Sequence, residues 1–198
     1  ETETYSDLHD SLDSAKDYHV KINNLQKAFP ITRPSLFNKK VENYIALDNI
    51  NLNIEKNTFV SLIGPSGCGK STLLNLLAGL DDFTSGEIFI DGKPIVGPGP
   101  DRGVIFQNYA LMPWLTAAGN IDYALETACP ELTSSQRREK ARYFLNMVGL
   151  ERSMNKFPRQ ISGGMKQRVA IARALSINPS MLLMDEPFGA LAVSYTHL

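Results

Sequence analysis

The stretch Gly64-Pro65-Ser66-Gly67-Cys68-Gly69-Lys70-Ser71 decides the fold of this chain. The apolar run 59–63 precedes it and predicts a buried strand, and residues 72–79 after it predict a helix that ends at a glycine. Strand, glycine loop and helix in this order are typical of a loop that binds phosphate. Glycines let backbone N–H groups turn toward an anion, and the positive end of the helix points to the same place.

Each side chain of this loop has an expected task. The Lys70 ammonium should contact the β- and γ-phosphates of a nucleotide, and the Ser71 hydroxyl should bind Mg²⁺. Cys68 is interpreted as a small residue that fits the loop, with a redox switch as the alternative. The predicted nucleotide-binding residues here are Gly64, Pro65, Ser66, Gly67, Cys68, Gly69, Lys70, Ser71 and Thr72.

The composition bears on three properties of the protein: nucleic-acid binding, membrane crossing and redox compartment. The 198 residues carry 20 Lys and Arg against 21 Asp and Glu, so no net field favours nucleic acid. No apolar run approaches the roughly 20 residues that cross a bilayer, so any membrane association should go through a partner. Cys68 and Cys129 provide no disulfide framework, which is typical of a reducing compartment.

The order of predicted elements indicates an α/β protein. A loop is expected from Pro30 to Asn43 and a rigid turn over 97–100. The segment between Gln107 and Ser162 is helical in character and predicts an insertion into the core. Predicted strands cover 20–25, 45–54, 59–63, 86–90, 104–106 and 181–184, and predicted helices cover 72–79, about 134–148 and about 163–177.

Two adjacent carboxylates follow the last predicted strand. The run 181–184 is fully apolar and predicts a buried parallel strand that ends at Asp185 and Glu186. On an extended strand these side chains would point to opposite sides. In a phosphate-loop protein one carboxylate can meet the Mg²⁺ shell with Ser71 and the next can polarise the attacking water. The alternative is an ordinary pair of surface charges at a strand end.

A second anion-binding surface is predicted at Ser162-Gly163-Gly164-Met165. A serine and two glycines at the start of a helix offer a hydroxyl, backbone N–H groups and the positive helix end. One domain has no obvious need for two such surfaces, so this one is expected to meet nucleotide held by a second copy. The alternative is a plain helix cap.

With these motifs in this order the chain resembles the ATP-binding cassette family over about residues 20–191. The resemblance implies a P-loop NTPase core with a mixed sheet, and a helical subdomain at about 110–162. It implies that ATP and Mg²⁺ are the cofactors and that Phe29 stacks on adenine, with Tyr44 as the alternative. The implied catalytic residues are Glu186, Gln107 and Lys70, the implied metal ligands are Ser71, Gln107 and Asp185, and Ser162, Gly163, Gly164 and Met165 contact nucleotide across a dimer.

Within the family the chain is most similar to bacterial ATPases that import nitrate, nitrite, cyanate or bicarbonate, with sulfonate and taurine importers nearby. Residues 98–102, 106–109, 111–116 and 162–168 carry this resemblance. It implies a transmembrane permease, a second ATP-binding subunit, an indirect solute-binding protein and a place at the cytoplasmic face of the plasma membrane. Trp114 is interpreted either as a permease contact or as packing inside the helical insertion.

The two ends of the sequence depart from the family pattern. Residues 1–19 are expected to form a disordered leader or linker, and 192–198 a tail foreign to the family. His197, His9 and His19 are interpreted as non-functional, the last two as exposed. Because the family's final strands and its switch histidine should lie further on, low stability and negligible ATP hydrolysis are expected. The alternative functions are a non-transport cassette protein and a nucleotide-binding fragment without turnover.

Overall fold

A computed structural model describes residues 18–33 and 40–186, with side chains for 18–31 and 42–186. These residues fall into two compact units, the first ending at Gly97 and the second starting at Pro98. The expected tail 192–198 and most of the expected leader lie outside the described residues, as do His9 and His197. No helix within the described ranges is long and apolar enough to cross a membrane.

The first unit is built on a four-stranded antiparallel sheet with the order β2-β1-β3-β4. The Asp91-Gly92 turn between β3 and β4 was expected, and both residues have positive φ angles of 47° and 71°. Alternation also holds in β2, where Ile50, Leu52 and Ile54 lie half-buried between exposed neighbours. The strands are β1 Tyr18–Arg33, β2 Lys40–Glu55, β3 Ser85–Ile90 and β4 Lys93–Pro94.

The predicted loop from Pro30 to Asn43 is wrong at both of its ends. Pro30 pairs with Asn43 inside the long β1–β2 hairpin. The described pairing of β1 with β3 extends no further than Gln26, so the distal part of β1 has a strand only on its β2 side. Proline is tolerated in such an edge position because one side of the strand makes no ladder hydrogen bonds.

The predicted buried strand over 59–63 is also wrong. The structure assigns no strand to this run, and Phe59 and Ile63 are 89% and 93% exposed. A parallel strand needs hydrogen-bonded neighbours, and the described sheet of its own unit is antiparallel throughout. Both the strand and its burial are therefore absent at residues 59–63, because apolar composition alone does not supply the neighbouring strands that a parallel strand needs.

The helix after the glycine loop is α1, Lys70–Ala78. It begins two residues before the predicted range 72–79, directly after Gly69, whose φ of +96° is one that an L side chain rarely adopts. A Cβ at Gly69 would also lie 2.8 Å from the carbonyl oxygen of Ala46, so only glycine fits. The helix ends at Gly79, again in the left-handed conformation, and buries Leu73, Leu76 and Leu77.

The described part of the second unit combines a two-stranded parallel sheet with three α-helices and two short 3-10 turns. Strands β5 Arg102–Ile105 and β6 Met181–Met184 pair in parallel, which confirms the parallel strand predicted before the two carboxylates. Leu183 of β6 is buried and its other three residues are half-buried, so the strand is less buried than predicted. The helices are α2 Ala117–Ala128, α3 Ser134–Met147 and α4 Gly163–Ser176, with short 3-10 turns at Glu151–Ser153 and Pro158–Gln160.

Polar caps fix where these helices begin. The Thr133 hydroxyl accepts from Gln136 N at 3.3 Å, and the Gln136 side chain accepts from Thr133 N at 2.8 Å. Ser162 caps α4, as predicted. The apolar faces of α2, α3 and α4 then meet in one core that includes Ile121, Leu145 and Val169.

His19 is not the solvent-exposed residue that was expected. Its side chain is 12% exposed, and its Nδ1 lies 3.1 Å from Asp91 Oδ1. The prediction failed because His19 opens β1 beside the Asp91 turn, a contact between residues 72 positions apart in the sequence.

Candidate functional site

The Lys70 side chain folds back over the glycine loop. Its ammonium donates to the carbonyl oxygens of Gly64 at 2.9 Å and Pro65 at 2.8 Å. Its Nζ also lies 3.7 Å from the Cys68 sulfur. A phosphate that entered the loop would therefore meet a positive charge already held at the start of α1, where the helix end adds to the attraction.

Cys68 is an exposed free thiol packed closely into the same loop. A Cβ added at Gly64 would lie 2.7 Å from its sulfur, so there is no room for a larger residue at position 64. This close approach favours the steric interpretation of Cys68 over the redox alternative.

The two candidates for the adenine platform face each other across the β1–β2 hairpin. Phe29 and Tyr44 are register partners, so their side chains lie on the same face of the sheet. They are 36% and 50% exposed. Position alone does not separate the two, and both present an aromatic ring to solvent.

Lys27 contacts the Phe29 ring, and this contact separates Phe29 from Tyr44. The sequence did not predict a role for Lys27. The residue is only 8% exposed, and its ammonium donates to Asp81 Oδ1 at 2.7 Å and to the carbonyl oxygen of Asp82 at 2.5 Å. The same ammonium lies 4.7 Å from the centre of the Phe29 ring. The sequence signal for this contact is a lysine at a position of the alternating strand where an apolar, core-facing residue is expected.

Gln107 and Glu186 meet in the second unit, although 79 positions separate them. The Gln107 amide donates to Glu186 Oε2 at 2.8 Å. The parallel pairing of β5 with β6 explains the contact, because Ile105 and Met184 are register partners and both chains leave the sheet at the same edge. Asp185 N extends the pairing by donating to the Ile105 carbonyl oxygen at 3.0 Å.

The two carboxylates do not continue the strand as expected. β6 ends at Met184, and Glu186 has a φ of +49°, which is left-handed backbone. Glutamate rarely adopts this conformation, and such residues cluster at functional sites. Asp185 and Glu186 therefore lie beyond the extended strand, and their expected opposite orientation stays a prediction.

Ser162 lies exposed at the start of α4 and acts as its cap. Its hydroxyl accepts from Met165 N at 3.3 Å, and its carbonyl oxygen accepts from Lys166 N at 2.9 Å. Gly163 is exposed beside it, and a Cβ added there would lie 3.8 Å from the Tyr109 hydroxyl. The plain cap is thus present, and the same helix end is open to an external anion.

Trp114 is 69% exposed, which contradicts packing inside the helical insertion. Buried Asn120 holds the chain on both sides of it, because its side-chain oxygen accepts from Met112 N at 2.8 Å and its amide donates to Leu115 O at 3.3 Å and Thr116 O at 3.0 Å. The turn that carries Trp114 is therefore organised from within and presents the ring to solvent.

Metal binding was predicted at Ser71, Gln107 and Asp185. Hydroxyl, amide and carboxylate oxygens are the donors that Mg²⁺ prefers, so these residue types fit that ion. Among the described residues, no group of three or more His, Cys, Asp and Glu side chains forms a metal site. The Mg²⁺ site stays a prediction.

The sequence profile of the ABC transporter family matches residues 47–189. The nitrate import ATP-binding protein NrtD of Synechococcus elongatus is 54% identical over 148 residues, which cover 75% of this chain and 54% of that protein. The bicarbonate transport ATP-binding protein CmpD of Synechocystis sp. is 49% identical over 172 residues, 87% of this chain and 58% of that protein. The chain thus spans little more than half the length of these curated relatives.

Solved structures give the same answer for the fold. The dimeric structure of MJ0796, a bacterial ABC transporter cassette, has a TM-score of 0.77 at 39% identity and covers 88% of this chain and 77% of its own. A dimeric post-hydrolysis state of the ATP-binding cassette MJ0796 with ADP and Pi bound has a TM-score of 0.74. The predicted cassette fold and the resemblance to nitrate and bicarbonate import proteins are confirmed, and this chain belongs to the ABC transporter family.

Proposed function

We propose that the full-length protein to which these residues belong binds and hydrolyses ATP to energise an importer of a small anion, such as nitrate or a related oxyanion. The observation that carries the proposal is the Lys70 ammonium held over the glycine loop by Gly64 and Pro65, directly at the start of α1. A loop of this form fits a triphosphate and little else of comparable charge. The names of the related nitrate and bicarbonate import proteins support the class of transported solute.

Residues of the first unit bind the nucleotide in this proposal. Residues 64–72 surround the phosphates with backbone N–H groups, and Phe29 stacks on adenine. The Lys27 ammonium lies over one face of the Phe29 ring, so adenine would stack on the opposite face. Bound Mg²⁺, held by Ser71, Gln107 and Asp185, would neutralise phosphate charge.

The chemical step is assigned to the second unit. Glu186 orients and polarises the attacking water, and Gln107 holds that carboxylate through its amide at 2.8 Å. The left-handed backbone at Glu186 is consistent with a residue placed for chemistry rather than for strand stability.

A second ATP-binding subunit completes the site. The exposed start of α4, with Ser162, Gly163, Gly164 and Met165, would contact the γ-phosphate held by its neighbour. The dimeric cassettes among the similar structures support this arrangement. The proposed cassette covers residues 20–191, with its helical subdomain at about 110–162.

The remaining partners follow from the proposed role. A transmembrane permease would receive the exposed Trp114 turn, and a solute-binding protein would act on the permease from the far side. The chain would then lie at the cytoplasmic face of the plasma membrane. No nucleic-acid partner is proposed, since positive and negative charges nearly balance.

The proposal is tested by steady-state ATP hydrolysis and by binding of a fluorescent ATP analogue. In the full-length protein Glu186→Gln should lower kcat about 100-fold or more and leave the Kd for MgATP within about twofold. Glu139→Gln is the matched control, because Glu139 is an exposed carboxylate on α3 of the same unit. Turnover that survives Glu186→Gln, or binding without turnover in the unaltered protein, would contradict the proposed ATPase.

The solute is tested separately in vesicles that contain the permease and the solute-binding protein. ATP-dependent uptake of labelled nitrate or bicarbonate is expected, and Lys70→Ala should abolish it. Hydrolysis that never couples to uptake of either anion would favour a non-transport cassette protein instead.

A further inference from the structure

A tight turn connects Gln107 to the segment that carries Trp114. Tyr109 N donates to the Phe106 carbonyl oxygen at 2.9 Å, which closes the turn around Gln107. The next two residues are both left-handed, with φ angles of 62° at Tyr109 and 43° at Ala110. Consecutive L residues seldom adopt this conformation, so something outside the turn must hold it.

Arg173, in the last turn of α4, supplies that hold. Its guanidinium donates to Ala110 O at 2.6 Å and to Tyr109 O at 3.2 Å. Its side chain therefore bridges the carbonyl oxygens of the same two left-handed residues. Burial lowers the pKa of Arg173 from its usual value, and no carboxylate among the described residues forms an ion pair with it. Because Arg173 is half-buried, water would only partly replace these two hydrogen bonds if the carbonyl oxygens moved away.

The far side of the segment is fixed as well. Leu111 packs against the core of α2, α3 and α4 and against a second apolar cluster formed by Ile105, Ala170 and Ala174. Asn120 binds the backbone of residues 112, 115 and 116. Residues 109–116 are thus attached at one end to α4 and at the other to α2. Along the chain, Gln107 precedes and Trp114 follows the two residues whose carbonyl oxygens Arg173 binds. We call these two hydrogen bonds the Arg173 clamp.

We propose that Arg173 is a positioning residue that links the Trp114 surface to the Gln107–Glu186 pair by holding the left-handed turn at Tyr109 and Ala110. The proposal rests on the proposed ATPase function and adds a residue to its site. Displacement of the Trp114 turn by a partner would pull on the two carbonyl oxygens that Arg173 binds. The turn lies two residues from Gln107, so its movement changes the hydrogen bond to Glu186.

Two substitutions separate this role from a general effect on folding. Arg173→Lys keeps the charge and the stem but presents a single ammonium instead of a planar fork, so it should hold the two oxygens less well. Ala110→Gly removes the steric cost of the left-handed turn, so it should reduce the need for Arg173. Arg137→Ala is the matched control, because Arg137 is also largely buried and donates to the Leu132 carbonyl oxygen at 3.2 Å, outside residues 109–116.

The experiment uses the full-length protein assembled with its permease and measures kcat, KM for MgATP and amide hydrogen exchange over residues 109–116. Arg173→Ala should lower kcat about tenfold, leave KM within about twofold and speed exchange at these amides. Arg173→Lys should be intermediate, and Ala110→Gly added to Arg173→Ala should restore kcat at least about threefold. Arg137→Ala should lower the thermal midpoint without changing kcat or this exchange.

Equal losses of kcat in Arg173→Ala and Arg137→Ala, or unchanged amide hydrogen exchange at residues 109–116 in Arg173→Ala, would contradict the positioning role proposed for Arg173. If Arg173→Ala does not fold, the same criteria apply to Arg173→Lys with and without Ala110→Gly. If the unaltered protein hydrolyses no ATP, the proposed function fails, while the exchange measurement still decides whether Arg173 holds the turn.

Discussion

Lys27→Met removes a buried ammonium that contacts three groups at once. The lost contacts are Asp81 at 2.7 Å, the Asp82 carbonyl oxygen at 2.5 Å and the Phe29 ring at 4.7 Å. The Asp81 side chain is 37% exposed, so its ion pair contributes about 1 kcal/mol rather than the value of a buried pair. A charged donor to a carbonyl contributes about 1.5 kcal/mol and the ring contact about 0.5 kcal/mol. Methionine keeps the aliphatic packing, so the free energy of unfolding should fall by about 2–3 kcal/mol.

The assay is a double-mutant cycle with Asp81→Asn, read from urea unfolding by circular dichroism. Once Lys27 is absent, Asp81 has lost its partner, so the second substitution should cost about 1 kcal/mol less than it does alone. Additive effects within about 0.3 kcal/mol would refute the coupling. A loss below about 0.5 kcal/mol for Lys27→Met would refute the assignment of a stabilising role to the buried ammonium.

Three further predictions concern other parts of the chain. Phe29→Ala should raise the Kd for MgATP about tenfold or more and Tyr44→Ala less than about threefold, and the reverse order in a binding titration would make Tyr44 the adenine platform. Trp114→Ala should weaken co-purification with the permease about tenfold and leave the thermal midpoint and ATP binding unchanged, whereas a large loss of stability would return the ring to a packing role. The hydrogen bond from His19 lowers the folded-state pKa of Asp91 below 3.8, so its contribution to stability is present above that pH and lost as pH falls through the folded-state pKa. Thermal midpoints should thus fall below about pH 4, less steeply in Asp91→Asn, and parallel curves would contradict the linkage.

Sequence patterns predicted the parts of this fold that depend on local chemistry. The glycine at the start of α1, the cap at Ser162 and the carboxylates after β6 each follow from a residue type at a fixed position in an element. The apolar run 59–63 misled the prediction because burial of a strand requires neighbouring strands, which composition does not specify. Pro30 misled it because a proline is compatible with an edge strand as well as with a loop.

The contacts that support the candidate site could not be predicted from the sequence, for a different reason. Lys27 reaches Asp81 across 54 positions, and Arg173 reaches Ala110 across 63. Both are basic residues within otherwise apolar faces, a pattern that indicates a buried partner without saying which one. Which residue becomes the partner is determined by how the strands and helices pack.

In the proposed dimer, one triphosphate lies between the glycine loop of one molecule and the start of α4 in the other. The thiol of Cys68 already lies exposed in that loop, and a cysteine at Lys166 would lie in the first turn of α4. Two differently tagged full-length proteins would both carry Cys129→Ala and Glu186→Gln. One keeps Cys68, and the other carries Cys68→Ser together with Lys166→Cys, so that each has a single thiol within residues 1–198. The mixture would be treated with a short bismaleimide. We predict a crosslink between the two tags with MgATP and little without it; equal yields in both conditions, or none in either, would contradict the shared site.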